Sequence, residues 1–437
     1  MPGVVVVRIV RHACQYACAH MPRQRGREPV YDGGMTTATI APDTLVPLRQ
    51  DATIIGLVGL AHASSHFAHL LLPLLFPVFM REFGLSYSEL GFLMSVFFIV
   101  SGIGQAGAGF VVDRFGARRV LFAAEGLFIA ACLAASLAQG YAGLLLVAVL
   151  AGLGNAPFHP VDFTILNQRV SAPRLGHAFS AHGLTGNLGW AAAPVFLIGL
   201  GSVAGWRSAY VAAAMMYAAI LVLLVLQRDK LRTEVVLRQP QHHTGSDLAF
   251  LKLPVVWWCF AFFMFSTMTL ALVQNYAVSI LQVLHGVSLE AATLTLTAYM
   301  LCAAAGIFVG GFVAARRPDS DRVVALCMGG GAVLMALCGS GWLDAGGTMT
   351  VLAVTGFAIG IGGPSRDMMV KKATPKGATG RVYGTVYSGF DVGFAVAPLM
   401  FGALMDRGQY SRTFFVAALV LLLSVVAAAG VGRRVRH

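Results

Sequence analysis

Three histidines at helical spacing, His62, His66 and His69, and a lone acid, Asp391, are the side chains of this 437-residue chain best suited to chemistry. Residues at i, i+4 and i+7 share one face of a helix, so the three imidazoles are expected to lie together. Imidazole titrates within the working pH range. A carboxylate set among apolar residues can load and release a proton, and ionisable groups inside a membrane are functional candidates by default. His66, His69 and Asp391 are therefore candidates for proton coupling, with His62 beside them on a substrate path. The plainer alternative for each is hydrogen-bonded helix packing. A metal site is the weaker reading of the trio, because no carboxylate or cysteine joins it in sequence. Neither a metal nor a cofactor is expected.

A second group runs through Asn155, His159 and Asp162, around Pro157 and Pro160. Proline frees backbone carbonyls and kinks a helix. The group reads as an inner gate or part of a substrate path, or else as a bent helix end whose polar groups reach the interface. Arg366 and Asp367 follow Pro364 in the matching place of the second half. The nearby Lys371 and Lys372 favour interface anchoring for them; an Arg366 facing a cavity would make an anionic substrate attractive. Gln105, Asn187, Gln274 and Asn275, with Tyr276, are further candidates to line a path. Glu125 reads as a partner for basic groups, and Asp391 is the one acid expected near the midplane. Small residues at Gly176, Ser180, Gly183 and Gly186 suit close helix packing.

These groups need long apolar helices to position them. The chain is 57% hydrophobic and only 11% charged, with mean hydropathy +0.75. Soluble domains carry about 25% charged residues, and roughly 20 apolar residues span a bilayer core. Twelve spans are expected, near 53–80, 88–112, 119–138, 142–168, 175–201, 205–227, 254–283, 290–315, 322–342, 347–370, 380–405 and 411–432. Residues 228–251 form a polar cytosolic linker, dividing a bundle at 51–227 from a second at 252–437. Residues 1–50 read as a disordered cytosolic tail, of which 1–34 resemble an upstream start-site artefact before Met35. His12, Cys14, Cys18 and His20 could in principle hold zinc there. The other five cysteines sit singly in apolar segments and read as small core residues.

With both ends cytoplasmic, 27 of the 31 Lys and Arg residues fall on the inner side, which fits the positive-inside rule. Net charge +12 is thus a topology signal. A nucleic-acid surface would need a clustered basic face with aromatics, and none is evident.

The halves repeat. Gly109-Phe110-Val111-Val112 matches Gly311-Phe312-Val313-Ala314, and Gly176, Gly189 and Pro194 match Gly380, Gly393 and Pro398. Asn187 then pairs with Asp391, and Pro157 with Pro364. Facing repeats suit alternating access around a midplane site. The turn Gly109-x-x-x-Asp113-Arg114-x-Gly116-x-Arg118-Arg119 resembles the loop 2–3 signature of the major facilitator superfamily, with Ala117 where an Arg is common. Ala315 stands where the second copy would carry its acid. Ser65-His66, Phe158-His159-Pro160 and Gly186-Asn187-x-Gly189 are similar to the fosmidomycin-resistance-like branch. That branch often has an Asn-Asp pair after the Ser-His, where this chain has His69 and Leu70.

The resemblance implies an all-α membrane protein of twelve transmembrane helices in two pseudo-symmetric six-helix bundles. It also implies that Asp113 and the arginines around it latch the inner gate against the start of span eleven. The expected function is secondary active transport of a small molecule across the inner membrane, proton-coupled, with efflux favoured. Uptake of an organic acid or sugar-like metabolite is the alternative. A non-transporting sensor or lipid-handling protein is a rival of another class; the first would need an output domain and the second a catalytic set, and neither is evident. No Gly-x-x-x-x-Gly-Lys-[Ser/Thr] sequence offers ATP drive. Expected partners are the substrate, protons and the bilayer, with the chain a monomer and not an enzyme.

Overall fold

A computed structural model of the chain describes residues 47–233, 249–317, 319–373 and 379–435, with side chains set aside at 249–250 and 379–384. The tail with its His12–Cys14–Cys18–His20 group, Met35 and most of the linker lie outside the described residues. Among those residues every regular element is helical. Twelve helical segments are long and apolar enough to cross a membrane: Leu48–Phe83, Tyr87–Phe115, Ala117–Ser136, Tyr141–Arg169, Ala172–Ala204, Trp206–Leu226, Pro254–His285, Leu289–Arg316, Ser320–Gly339, Ala345–Ala373, Thr385–Asp406 and Tyr410–Val435. We number them spans one to twelve. The expected count holds, and most bounds move by only a few residues.

Local sequence sets the ends. Span two starts with a capping box, in which Ser86 Oγ accepts from Glu89 N and Glu89 Oε2 accepts from Ser86 N. It stops at Gly116, whose φ of +83° suits a residue without Cβ, and span three starts at the next residue. The signature turn is therefore tight, with Asp113 and Arg119 exposed on it. Arg118 donates to Arg228 O at 3.0 Å and lies 3.8 Å from Asp229, tying the turn to the exit of span six. Arg114 lies over the Phe115 ring.

Two spans are broken. Span one runs helical to Ala68, turns through 69–72, and resumes as Phe76–Phe83. Span four is helical over Tyr141–Asn155 and again over Phe158–Arg169. Pro157 lacks an N–H and cannot continue the ladder, so the second segment begins there with Val161 N bonded to Pro157 O. Pro364 leaves its span unbroken as one helix, Ala345–Ala373.

Spans two and eleven pack along the halves nearer Tyr87. A Cβ on Gly91 would lie 2.5 Å from Pro398 O. Ser95 Oγ donates to Ala395 O at 2.6 Å, and Phe98 stacks on Phe394 with centroids 4.3 Å apart. At the rim the Asp406 carboxylate accepts from Tyr87 N at 2.7 Å and Ser88 N at 2.9 Å. The end of span eleven thus caps the start of span two, where the helix dipole favours an anion. Tyr276 of span seven donates to Pro398 O at 2.7 Å, with Tyr87 O at 3.2 Å.

Toward the face carrying Arg114, Arg174 and Arg316 the packing ends. Gly107 and Gly109 of span two, Gly176 and Gly183 of span five and Gly311 of span eight have nothing within 4 Å of where a Cβ would sit. Small residues on helix faces serve close approach, so these surfaces are parted. The structure is closed at the Tyr87 face and open at the Arg114 face.

Candidate functional site

Span one brings His62, His66 and His69 to one side, as their spacing requires, and the rings lie in series. Centroids of His62 and His66 are 4.4 Å apart, and those of His66 and His69 are 5.1 Å apart. Glycine makes this possible. A Cβ on Gly186 of span five would sit 2.6 Å from the His66 ring and 3.0 Å from His62 Nε2. Gly189, one turn on, seats its helix against the Ala63 backbone.

The three histidines separate by role. His69 is held at both nitrogens: Trp190 Nε1 donates to its Nδ1 at 3.3 Å, and its Nε2 donates to Asn155 Oδ1 at 3.0 Å. Asn155 in turn donates to Ser101 Oγ at 2.8 Å. A histidine fixed in one tautomer by two partners packs and orients, and this geometry favours the plainer reading of His69. His66 is partly exposed, and its Nδ1 has no hydrogen-bond partner. His62 is buried, with Nδ1 3.2 Å from Asp162 Oδ2.

The break at Pro157 supplies that acid. The sequence places no carboxylate beside the trio; the fold does, by turning the second segment of span four toward span one. Asp162 is 0% exposed, and the same oxygen lies 3.0 Å from Nε2 of His182 in span five. The His182 ring stacks on His62 with centroids 3.5 Å apart. Sequence reasoning missed His182. Its signal was its place one turn before Gly186, on the helix face whose small residues admit span one.

One expectation about an acid is overturned, and two acids, Glu125 and Asp162, are more enclosed by protein than Asp391. Glu125 does not meet basic groups. It lies in the N-terminal bundle with Ser64 Oγ 2.8 Å from its Oε1 and no partner at Oε2, because its helix face packs on span one rather than reaching the basic rim. Asp51, also buried, accepts from Ser171 Oγ and, at 2.8 Å, from Arg174.

His159 is exposed on the open side, and its Nδ1 donates to Gln105 Oε1 at 3.0 Å. Gln105 Nε2 points to Asp391 Oδ2 at 3.5 Å. Asp391 sits where spans two and eleven last touch: a Cβ on Gly102 would be 3.2 Å from its Cβ. The line His159–Gln105–Asp391 therefore crosses from one bundle to the other at the apex of the opening.

On the other wall, Arg366 does not join the Lys371–Lys372 rim. Its guanidinium lies 5.1 Å from the Phe263 ring and 5.7 Å from the Phe390 ring, and Nε bonds Asp367 Oδ1 at 2.9 Å. Tyr387 donates to the same carboxylate at 3.4 Å. Arg366 thus faces spans seven and eleven. Tyr387 stands one turn from Asp391, on the same face. Asn187, the repeat partner of Asp391, folds back on its own helix, donating to Gly183 O at 3.1 Å. Gln274 and Asn275 are buried beside Tyr276 on the closed side, each with an unpartnered amide nitrogen. They do not line the opening in this state. The partner surface for Asp113 at the start of span eleven lies outside the described side chains.

The comparisons with known proteins agree with the fold. The Major Facilitator Superfamily model matches residues 58–293 and 273–436. The chain is 26% identical over 294 residues to the fosmidomycin resistance protein of Escherichia coli, covering 63% of this chain and 66% of that one. It is 29% identical over 133 residues to a probable L-galactonate transporter of Escherichia coli, covering 30% and 29%. The chain thus spans less than two thirds of the length of these curated relatives. A crystal structure of a bacterial homolog of the human lysosomal transporter Spinster, in an inward-facing and unoccupied conformation, shares the fold. Its TM-score is 0.69 at 16% identity, over 90% of this chain and 98% of that one. The chain is a multi-pass membrane protein, and it belongs to the Major Facilitator Superfamily.

Proposed function

We propose that the chain exports a small organic anion across the cytoplasmic membrane in exchange for protons, with Asp391 as the proton carrier. The Arg114 face is then cytoplasmic and both termini lie on it, in keeping with the positive-inside distribution. The observation that carries the reading is the line from His159 through Gln105 to Asp391, at the contact between spans two and eleven.

The line couples charge to geometry. As drawn, Gln105 accepts from His159 and offers its N–H to Asp391, which suits an ionised carboxylate. A protonated Asp391 would donate instead, and the amide would turn over. Its N–H would then face His159 Nδ1, which must become the acceptor. A proton taken up on the C-terminal bundle is thereby felt on the N-terminal one. Losing the anionic end of the Gln105 contact also changes the contact between spans two and eleven, so the proton bears on the balance between the carrier's two states.

Arg366 supplies the anion preference, since a guanidinium among aromatic rings is suited to carboxylate, sulfonate or phosphonate groups beside an apolar body. The similarity to a fosmidomycin resistance protein supports efflux. The similarity to a probable L-galactonate transporter supports an acid anion and leaves proton-linked uptake as the second reading. The test is flux of a panel of carboxylates, sulfonates and phosphonates in proteoliposomes, with a pH gradient of either sign. Asp391→Asn is expected to abolish gradient-driven flux while keeping substrate exchange across the membrane. Full gradient coupling in that variant would sink the proposal, and the sign of the effective gradient decides between export and uptake.

A further inference from the structure

The histidine cluster holds more convergent donors than the proton route uses. Asp162 is wholly enclosed, and no lysine or arginine forms an ion pair with it among the described residues. A second enclosed acid, Glu125, interacts electrostatically with it. Two enclosed acids whose described neighbours are imidazoles and a hydroxyl suit a cation.

The donor geometry says which kind. Asp162 Oδ2 lies 3.0 Å from His182 Nε2 and 3.2 Å from His62 Nδ1. Donors bound at 2.0–2.1 Å in a tetrahedral site stand about 3.3 Å apart, so both gaps fit edges of one coordination sphere. His62 Nδ1 and Asp162 Oδ1 make no hydrogen bond, although both are buried. The His62 nitrogen is close to the carboxylate but not aligned to donate to it, so it is free for an ion once the stacked His62 and His182 rings turn toward a common point. The three donors come from spans one, four and five, and their positions are set by Gly186 and by the Pro157 break. Imidazole with carboxylate suits Zn²⁺ and its first-row neighbours.

An entry route is present. His62, His66 and His159 form a second trio with ligand atoms within 4.8 Å of one another, and His159 is exposed to the open side. An ion arriving from the cavity would pass from His159 inward by way of the shared His62. We infer that His62, Asp162 and His182 bind one divalent transition-metal ion, with the fourth position open to water. The ion ties three spans of the N-terminal bundle together. The inference does not use Asp391 or Arg366, so the proposed anion transport stands or falls separately.

The test uses the full chain, purified with a tag that lacks histidine, on a Cys14→Ser/Cys18→Ser background that disables the tail donors. Zn²⁺ titrated against a chromophoric chelator is expected to bind at one ion per chain. Asp162→Asn and His182→Gln should each weaken it by tenfold or more, while His177→Gln, on an exposed histidine outside the cluster, should not. Co²⁺ should give the visible d–d bands of a four-coordinate nitrogen–oxygen site without a thiolate charge-transfer band. That spectrum needs no cluster variant, so it decides the matter if His182→Gln fails to fold. No bound ion on this background, an ion indifferent to Asp162→Asn, or an octahedral Co²⁺ spectrum would each overturn the inference.

Discussion

Spans four and ten occupy matching places in the two halves, and they treat their prolines differently. In span four the helix stops at Asn155 and restarts at Phe158, and the restart carries His159 and Asp162 into a nest of imidazoles. In span ten the helix runs through Pro364 from Ala345 to Ala373, and Arg366 emerges among Phe263, Phe390 and Tyr387. The neighbours explain the contrast. Pro157 is followed by Pro160, so two N–H groups are missing within one turn. Pro364 follows Gly362 and Gly363, and glycine pairs let a helix bend without breaking. Matching positions in the two halves thus carry an enclosed histidine cluster on one side and a half-open cation among aromatic rings on the other. The two walls of the cavity divide charge handling between them.

That division is open to attack at several strengths. Arg366→Gln is expected to lower anion flux about 100-fold, since truncating one partner of a semi-buried charge contact costs roughly 3 kcal/mol. Arg366→Lys should recover part of it, and unchanged initial rates in proteoliposomes would remove the C-terminal half of the contrast. Pro157→Ala should let span four straighten and carry His159 away from Gln105, lowering coupled flux about tenfold, or about 1.4 kcal/mol. Pro364→Ala, in an unbroken helix, should stay within about twofold. Equal losses in the two would show that the break has no special role.

Packing gives a subtler comparison. Gly186→Ala pushes a methyl group into the His66 and His62 rings and should destabilise the protein by about 1–3 kcal/mol. Gly363→Ala, 3.5 Å from Ile307, should change stability by no more than about 0.5 kcal/mol. Thermal midpoints in detergent read both. The smallest effect belongs to the rim. Asp406→Asn should weaken the cap on span two by about 1 kcal/mol and shift the conformational balance about fivefold toward an open outer face. Labelling of a cysteine placed at Ser95 by a membrane-impermeant reagent measures that shift.

Much of this was legible without coordinates. The twelve spans follow from hydropathy and from Gly116, Gly205 and Gly286 at their ends, because a lipid-facing helix announces itself by length and composition. The face shared by His62, His66 and His69 follows from helical spacing alone. What the sequence concealed depends on which helix meets which. Asp162 lies 100 residues from His62, and only the bend at Pro157 aims one at the other. His182 drew no notice among the small residues around it, because only the packing of span one against span five brings it to His62. Glu125 was misplaced because depth along a helix says nothing of which side faces a neighbour. Arg366 was assigned by its proximity to lysines in sequence, whereas five residues, about 1.4 helical turns, separate it from Lys371.

The cap at Asp406 has a consequence of another kind. The carboxylate is exposed at the outer rim, although it holds the end of a buried helix from the opposite bundle. A charge–dipole contact in that position is screened by dissolved ions, within about 10 Å at 0.1 M. The resting preference of the carrier is then tuned from outside by salinity. A dilute medium would keep the outer face shut, and a brine would let it part, with every buried residue left as it was.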